Sequence, residues 1–144
     1  MQVGKDYIGV GVGACIFNQK GEILLLKRTD KCTNEPNTWS VPGGHVEYGE
    51  TLEKTVIREC LEEIGITVTI INEIGSINHI TDEFHYVSPA FFCLITTNEK
   101  PINKEPDKHS EIKWFKFDKL PKNTSEYLKE IVKKCNCEMD LYYK

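Results

Sequence analysis

Three glutamates, Glu59, Glu62 and Glu63, crowd the short run RECLEE, with Arg58 at its head. At ~100° per residue on a helix they fall within an arc of about 100°, beside a sector that holds Val56, Ile57, Cys60, Leu61 and Ile64. Like charges at spacings of three or four cost a helix a few tenths of a kcal/mol per pair. Arg58 offsets only part of that. Carboxylates so placed are hard oxygen ligands, suited to Mg²⁺, with Mn²⁺ the alternative, ions that keep several waters and share coordination with substrate phosphates. Read from residue types alone, a solvated acidic helix face is the competing account.

The flanking sequence supplies the elements that must hold this stripe. Thr51 can cap a helix that runs to about Ile64, and Gly65 can end it through a left-handed turn. Upstream, residues 8–17 and 22–28 read as a hairpin joined by a turn at residues 18–21. Gly9, Gly11 and Gly13 recur at the strand period and give one flat face, for close approach of a ligand or backbone or for close packing. They continue into a strand and not a helix, so they are no dinucleotide fingerprint. Residues 29–38 read as a loop leading to Trp39, Val41 and a turn at Pro42, Gly43 and Gly44.

Downstream, residues 67–71, 74–80 and 85–96 have strand composition, 98–110 form a charged loop, and 111–117 alternate polar and apolar up to a stop at Leu120 and Pro121. A last helix begins after Ser125, with Leu128, Ile131 and Val132 on its buried face. The expected architecture is an α/β layered domain.

At 144 residues and 40% hydrophobic, the chain is expected to form one domain, residues 1–144. The net charge of -4 gives no basic footprint for long nucleic acid, although a free nucleotide remains open. No run of ~18 apolar residues and no basic leader occurs, so no membrane partner is expected and the cytoplasm is the expected compartment. The cysteines are scattered through strands, a loop and a helix and read as reduced thiols. Cys135 and Cys137 pair near the end, but nothing completes a zinc site around them.

The run at residues 44–66, GHVEYGETLEKTVIRECLEEIGI, resembles the Nudix box: Gly, five residues, Glu, seven residues, then Arg-Glu-U-x-Glu-Glu-x-Gly-U, with U apolar. Gly44, Glu50, Arg58, Glu59, Glu62, Glu63, Gly65 and Ile66 all match, and Cys60 stands at the first U as a small hydrophobe. A Trp-x-x-Pro-Gly-Gly lead-in, Trp39 to Gly44, extends the likeness. The resemblance implies an α/β/α sandwich with a central mixed sheet. It also implies metal ligation by Glu59, Glu63 and Glu62, with Glu47 joining from the preceding loop.

By the same resemblance Arg58 orients the glutamates, Glu59 is the first choice of general base among the catalytic group Glu59, Glu62 and Arg58, and Glu105, Asp107 or Glu111 could supply a loop carboxylate instead. Glu50 either orients the site or ligates. Arg28, Gly43, Gly44 and His45 are the expected substrate contacts, and a small-molecule nucleotide is the expected partner, with a homodimer left open. Several segments, among them GVGVG at residues 9–13 and Glu105 to Lys108, look similar to MutT-like nucleoside triphosphate pyrophosphatases, which release a nucleoside monophosphate and pyrophosphate. ADP-ribose, nucleotide sugars and dinucleoside polyphosphates are the alternative substrates. Family members that only bind nucleotide usually lose box glutamates, and this chain keeps them. Phe84, Tyr86 and Trp114 are candidate base-stacking residues, or else core.

Overall fold

A computed structural model describes the backbone of residues 1–143 and the side chains of residues 1–135. The elements in chain order are β1 (Gly9–Phe17), β2 (Glu22–Arg28), β3 (Trp39–Ser40), β4 (Gly43–His45), α1 (Leu52–Ile64), β5 (Thr69–Ile80), β6 (His85–Leu94), β7 (His109–Lys116) and α2 (Glu126–Tyr143). The strands form one seven-stranded sheet with the path β3-β2-β1-β6-β5, while β4 pairs with β1 and β7 with β2. β1 and β6 run parallel and the other pairings are antiparallel, which makes the sheet mixed.

Alternation along β1 explains the layering, because successive side chains leave a strand on opposite faces. Val12, Ala14 and Ile16 join Val56, Cys60 and Ile64 of α1 in one apolar cluster. Cys15 and Phe17 join Leu128, Ile131 and Cys135 of α2 in the other. The result is the expected α/β/α sandwich. Among the described residues no helix is long and apolar enough to cross a membrane.

Several boundaries depart from the sequence reading for identifiable reasons. The two strands expected at 67–71 and 74–80 are one strand, β5, with register shifts between Ile70 and Asn72 and between Glu73 and Gly75. Each bulge offsets the alternation by a residue, so a continuous strand reads as two. The lead-in at residues 39–44, expected as a loop end and turn, forms two short strands, β3 bonded to β2 and β4 to β1. β7 starts at His109 and not at residue 111, through the pairing of Arg28 with His109 across a register shift.

The glycine face of β1 receives aromatic rings. A Cβ at Gly9 would overlap the ring of Tyr86, and one at Gly13 the ring of Tyr127, whose hydroxyl donates to the carbonyls of Ser88 and Pro89 at 3.1 and 3.3 Å. At Gly11 the near neighbours are Ser88 Oγ and the Gly44 carbonyl. Close packing therefore accounts for this face. Cys135 lies with its Sγ 3.1 Å from that of Cys15, and the side chain of Cys137 lies outside the described residues.

Candidate active site

Helix α1 is bounded as its sequence suggests. Thr51 Oγ1 accepts from the Lys54 N–H at 3.2 Å, and Gly65, at φ 72°, turns out of the helix while its N–H reaches the Cys60 and Leu61 carbonyls. The buried face is rotated relative to the expected one. Thr55 and Glu63 are buried with Val56, Cys60 and Ile64, whereas Leu61 is exposed and Ile57 half-buried. The glutamate stripe is thereby turned toward the sheet, and Glu63 is only 4% exposed.

Two glycines of β4 make room for it. The Glu59 carboxylate occupies the space a Cβ on Gly44 would need, and a Cβ on Gly43 would run into the Val12 carbonyl. The Gly43 N–H donates to Glu63 Oε1 at 3.2 Å. In this structure Gly43 and Gly44 thus serve the carboxylates directly. Residues 101–108 close the other side, with Ile102 N–H on the Ile64 carbonyl and Lys104 N–H on that of Glu63, both at 3.0 Å. These bonds satisfy two of the carbonyls that a helix end leaves open.

Arg58 organises the remaining charges. Its Nε donates to Glu50 Oε2 at 2.7 Å and its Nη2 to Glu50 Oε1 at 2.9 Å, a forked pair. Nη1 reaches Glu59 Oε1 at 2.8 Å and Glu62 Oε2 at 3.3 Å, and Glu47 Oε1 lies at 3.8 Å. Nη2 also donates to the His45 carbonyl at 3.0 Å, which ties the arginine to β4. Glu50 further accepts from the Glu47 N–H and the Thr55 hydroxyl, both at 3.0 Å. Both of its oxygens are thus engaged by protein donors. Its hydrogen bonds, chiefly from Arg58, lower its pKa to about 2. Arg58 in turn is held above its ordinary value, first by Glu50 and then by Glu59.

Glu63 shows the opposite shift. Burial pushes it well above the usual carboxylate range, against the Gly43 N–H, and Glu59 and the charge of Glu105 push the same way. Glu62 and Glu47, with side chains 54% and 68% exposed, stand at the solvent edge. Among the described residues no three acidic, histidine or cysteine groups converge closely enough, as they stand, to hold a metal ion. Arg58 draws Glu59, Glu62 and Glu47 toward itself. Mg²⁺ is usually held by one or two carboxylates with water and substrate phosphate, so a hard, open, oxygen-only donor set fits it.

The other expected contacts divide. Arg28 Nη1 is paired with Glu35 Oε2 at 3.2 Å and is not brought onto the box glutamates. Glu35 also accepts the Glu126 N–H at the start of α2, so this pair braces the loop before β3. His45 is exposed, and its ring stacks on Tyr86 with centroids 5.2 Å apart, an arrangement the sequence did not suggest. Of the loop carboxylates, Glu105 is paired with Lys108 at 3.2 Å and Glu111 with Lys27 at 3.9 Å. Asp107 offers its backbone carbonyl to Thr29 Oγ1 at 3.3 Å. Trp114 packs partly buried on the α1-side core.

His109 was missed altogether, since it fell in the stretch read as a loop. Its Nε2 lies 3.8 Å from Glu63 Oε2, and burial lowers its pKa. The alternation of β7 becomes regular only after it, so no periodic signal marks it.

Comparison with known proteins matches this arrangement. The NUDIX domain profile covers residues 8–135. A MutT NUDIX hydrolase from Burkholderia pseudomallei superimposes with a TM-score of 0.81 at 32% identity, over 88% of this chain and 97% of that one. A MutT protein from Methanosarcina mazei Go1 does so with a TM-score of 0.78 at 26% identity, over 96% and 98%. The NAD-capped RNA hydrolase NudC of Pseudomonas aeruginosa is 32% identical over 71% of this chain and 34% of that protein. The chain spans about a third of the length of the curated relatives it first matches, 35%, 34% and 35%. With the profile spanning nearly all of the chain and the box glutamates gathered between α1 and β4, this protein belongs to the Nudix hydrolase family, on its MutT-like side.

Proposed function

We propose that the protein hydrolyses a phosphoanhydride bond in a nucleoside diphosphate derivative, and that its substrate is a nucleoside or deoxynucleoside triphosphate, cut by water to the monophosphate and pyrophosphate. The observation that carries this reading is the Arg58 hub, which holds Glu50 by a fork and Glu59 and Glu62 by single bonds, beside a buried Glu63. Glu59 and Glu63 would hold a divalent cation, Mg²⁺ or Mn²⁺, with Glu62 and Glu47 at the outer edge. Such a cation supplies neutralisation of phosphate charge and activation of water.

The protein's own groups do the rest. Arg58 fixes Glu50, Glu59 and Glu62 in place and favours the ionised form of Glu50. Glu59, reached by Arg58 at 2.8 Å, is positioned to take the proton of the attacking water, as the first choice of base. Glu105 is the second, because its charge already acts on Glu63. Gly43, Gly44 and His45 border the carboxylates on β4 and are the proposed substrate contacts, and release of Arg28 from Glu35 would add a cation for phosphate.

The likeness to a protein named for NAD-capped RNA supports a second reading, a dinucleotide diphosphate substrate. Product analysis with Mg²⁺ separates the two. Monophosphate plus pyrophosphate from triphosphates supports the first; turnover only of ADP-ribose, NAD-type or diadenosine compounds supports the second. Nucleotide binding without turnover of any of them contradicts both.

A further inference from the structure

The histidine at the start of β7 has no task in the chemistry described so far. Its side chain is 13% exposed, its Nε2 faces Glu63 Oε2 at 3.8 Å, and its Nδ1 is buried with no hydrogen-bond partner among the described residues. A buried polar atom left unpaired costs stability, so packing alone would favour an apolar ring or branched chain here. The backbone that carries the imidazole is held at both its polar groups. Its backbone N–H donates to the Glu105 carbonyl at 3.0 Å, and Asn103 Nδ2 donates to its carbonyl at 2.7 Å.

Glu63 is thus approached from two strands, by the Gly43 N–H on Oε1 at 3.2 Å and by His109 on Oε2. We propose that His109 is a positioning residue for Glu63: β4 and β7 grip one oxygen each, and so fix the plane in which the carboxylate meets a divalent cation. This rests on the reading of Glu63 as a metal ligand. At 3.8 Å the contact is longer than a hydrogen bond, so a small rotation of the imidazole or the carboxylate closes it. Groups that orient a ligand in this way typically set metal affinity or activity by about 10–100-fold.

The test measures Mn²⁺ binding to substrate-free protein by electron paramagnetic resonance, for wild type, H109L, H109Q, H109N and E63Q. The glutamine amide reaches as far as Nε2, whereas the asparagine amide stops short near Nδ1. H109L and H109N are expected to bind Mn²⁺ about tenfold or more weakly. The Mg²⁺ concentration for half-maximal turnover should rise in the same ratio, with KM for substrate at saturating Mg²⁺ within about twofold of wild type. H109Q should recover most of the loss, which a merely structural role would not explain.

Should leucine not fold, H109N carries the same comparison. Wild-type Mn²⁺ affinity in a folded H109L or H109N, with E63Q weakened, overturns the positioning role and leaves Glu63 as a ligand. Wild-type affinity in E63Q removes Glu63 from the metal site, and the proposal falls with it.

Discussion

The two helices lie on opposite faces of one sheet and are built alike, each capped by a hydroxyl residue and each with an apolar stripe, yet their buried faces differ in kind. On α2 the stripe is Leu128, Ile131 and Cys135. The buried Ser125 hydroxyl accepts the Leu128 N–H at 3.1 Å and donates to Ser40 Oγ at 2.8 Å, so its polar atom is fully used. On α1 the buried face includes Glu63, whose burial pushes its pKa up, and facing it is His109, whose Nδ1 has no partner among the described residues. Where local rules agree, the chain is built for stability; where they conflict, a function is being served. On the proposed reading the α2 side serves stability alone, and the α1 side adds the chemistry at a cost to it.

The largest effect should come from replacing a carboxylate on the α1 side. E59Q is expected to lower turnover by about 10³-fold, because it removes charge stabilisation worth several kcal/mol, while circular dichroism and melting stay near wild type. On the α2 side the pattern should invert. L128A, at a fully buried site, should cost about 3 kcal/mol in denaturant unfolding, with kcat per folded molecule unchanged. A loss of turnover in L128A as large as that in E59Q would erase the division between the faces.

Smaller changes sharpen it. R58K keeps a charge but loses the fork to Glu50, and turnover should fall about tenfold with little change in melting. Thr51→Ala removes a helix cap on the solvent side of the site and should cost about 1 kcal/mol, seen in unfolding and not in KM.

Legibility followed the same division. The box helix could be read to its caps, because Thr51, Gly65 and the apolar spacing agree with one another, and the glutamate stripe follows from helical geometry. The phase of its buried face could not, since an amphipathic count places Leu61 inside and Glu63 beside the core. Only the contact with Gly43 and Gly44 shows the rotation. The bulged β5 read as two strands, and His109 read as loop, because a register shift hides alternation. Arg28 was expected as a substrate contact; its pairing with Glu35, seven residues on, carried no pattern to find. Contacts between distant segments, such as residues 101–104 on the end of α1, have no local signature at all.

The most direct test of the account is E63Q, measured for both stability and turnover. In metal-free protein Glu63 holds a proton that the unfolded chain gives up once pH exceeds the ordinary carboxylate range. The folded state then binds more protons than the unfolded one, and stability falls as pH rises. Glutamine has no such proton. With chelator present, E63Q should therefore melt at or above wild type, by a margin that widens between about pH 5 and about pH 8, while Mg²⁺-dependent turnover falls about 10²-fold or more. An E63Q protein that melts below wild type with a gap independent of pH, or that turns over like wild type at saturating Mg²⁺, would contradict the claim that this buried carboxylate costs stability and carries the reaction.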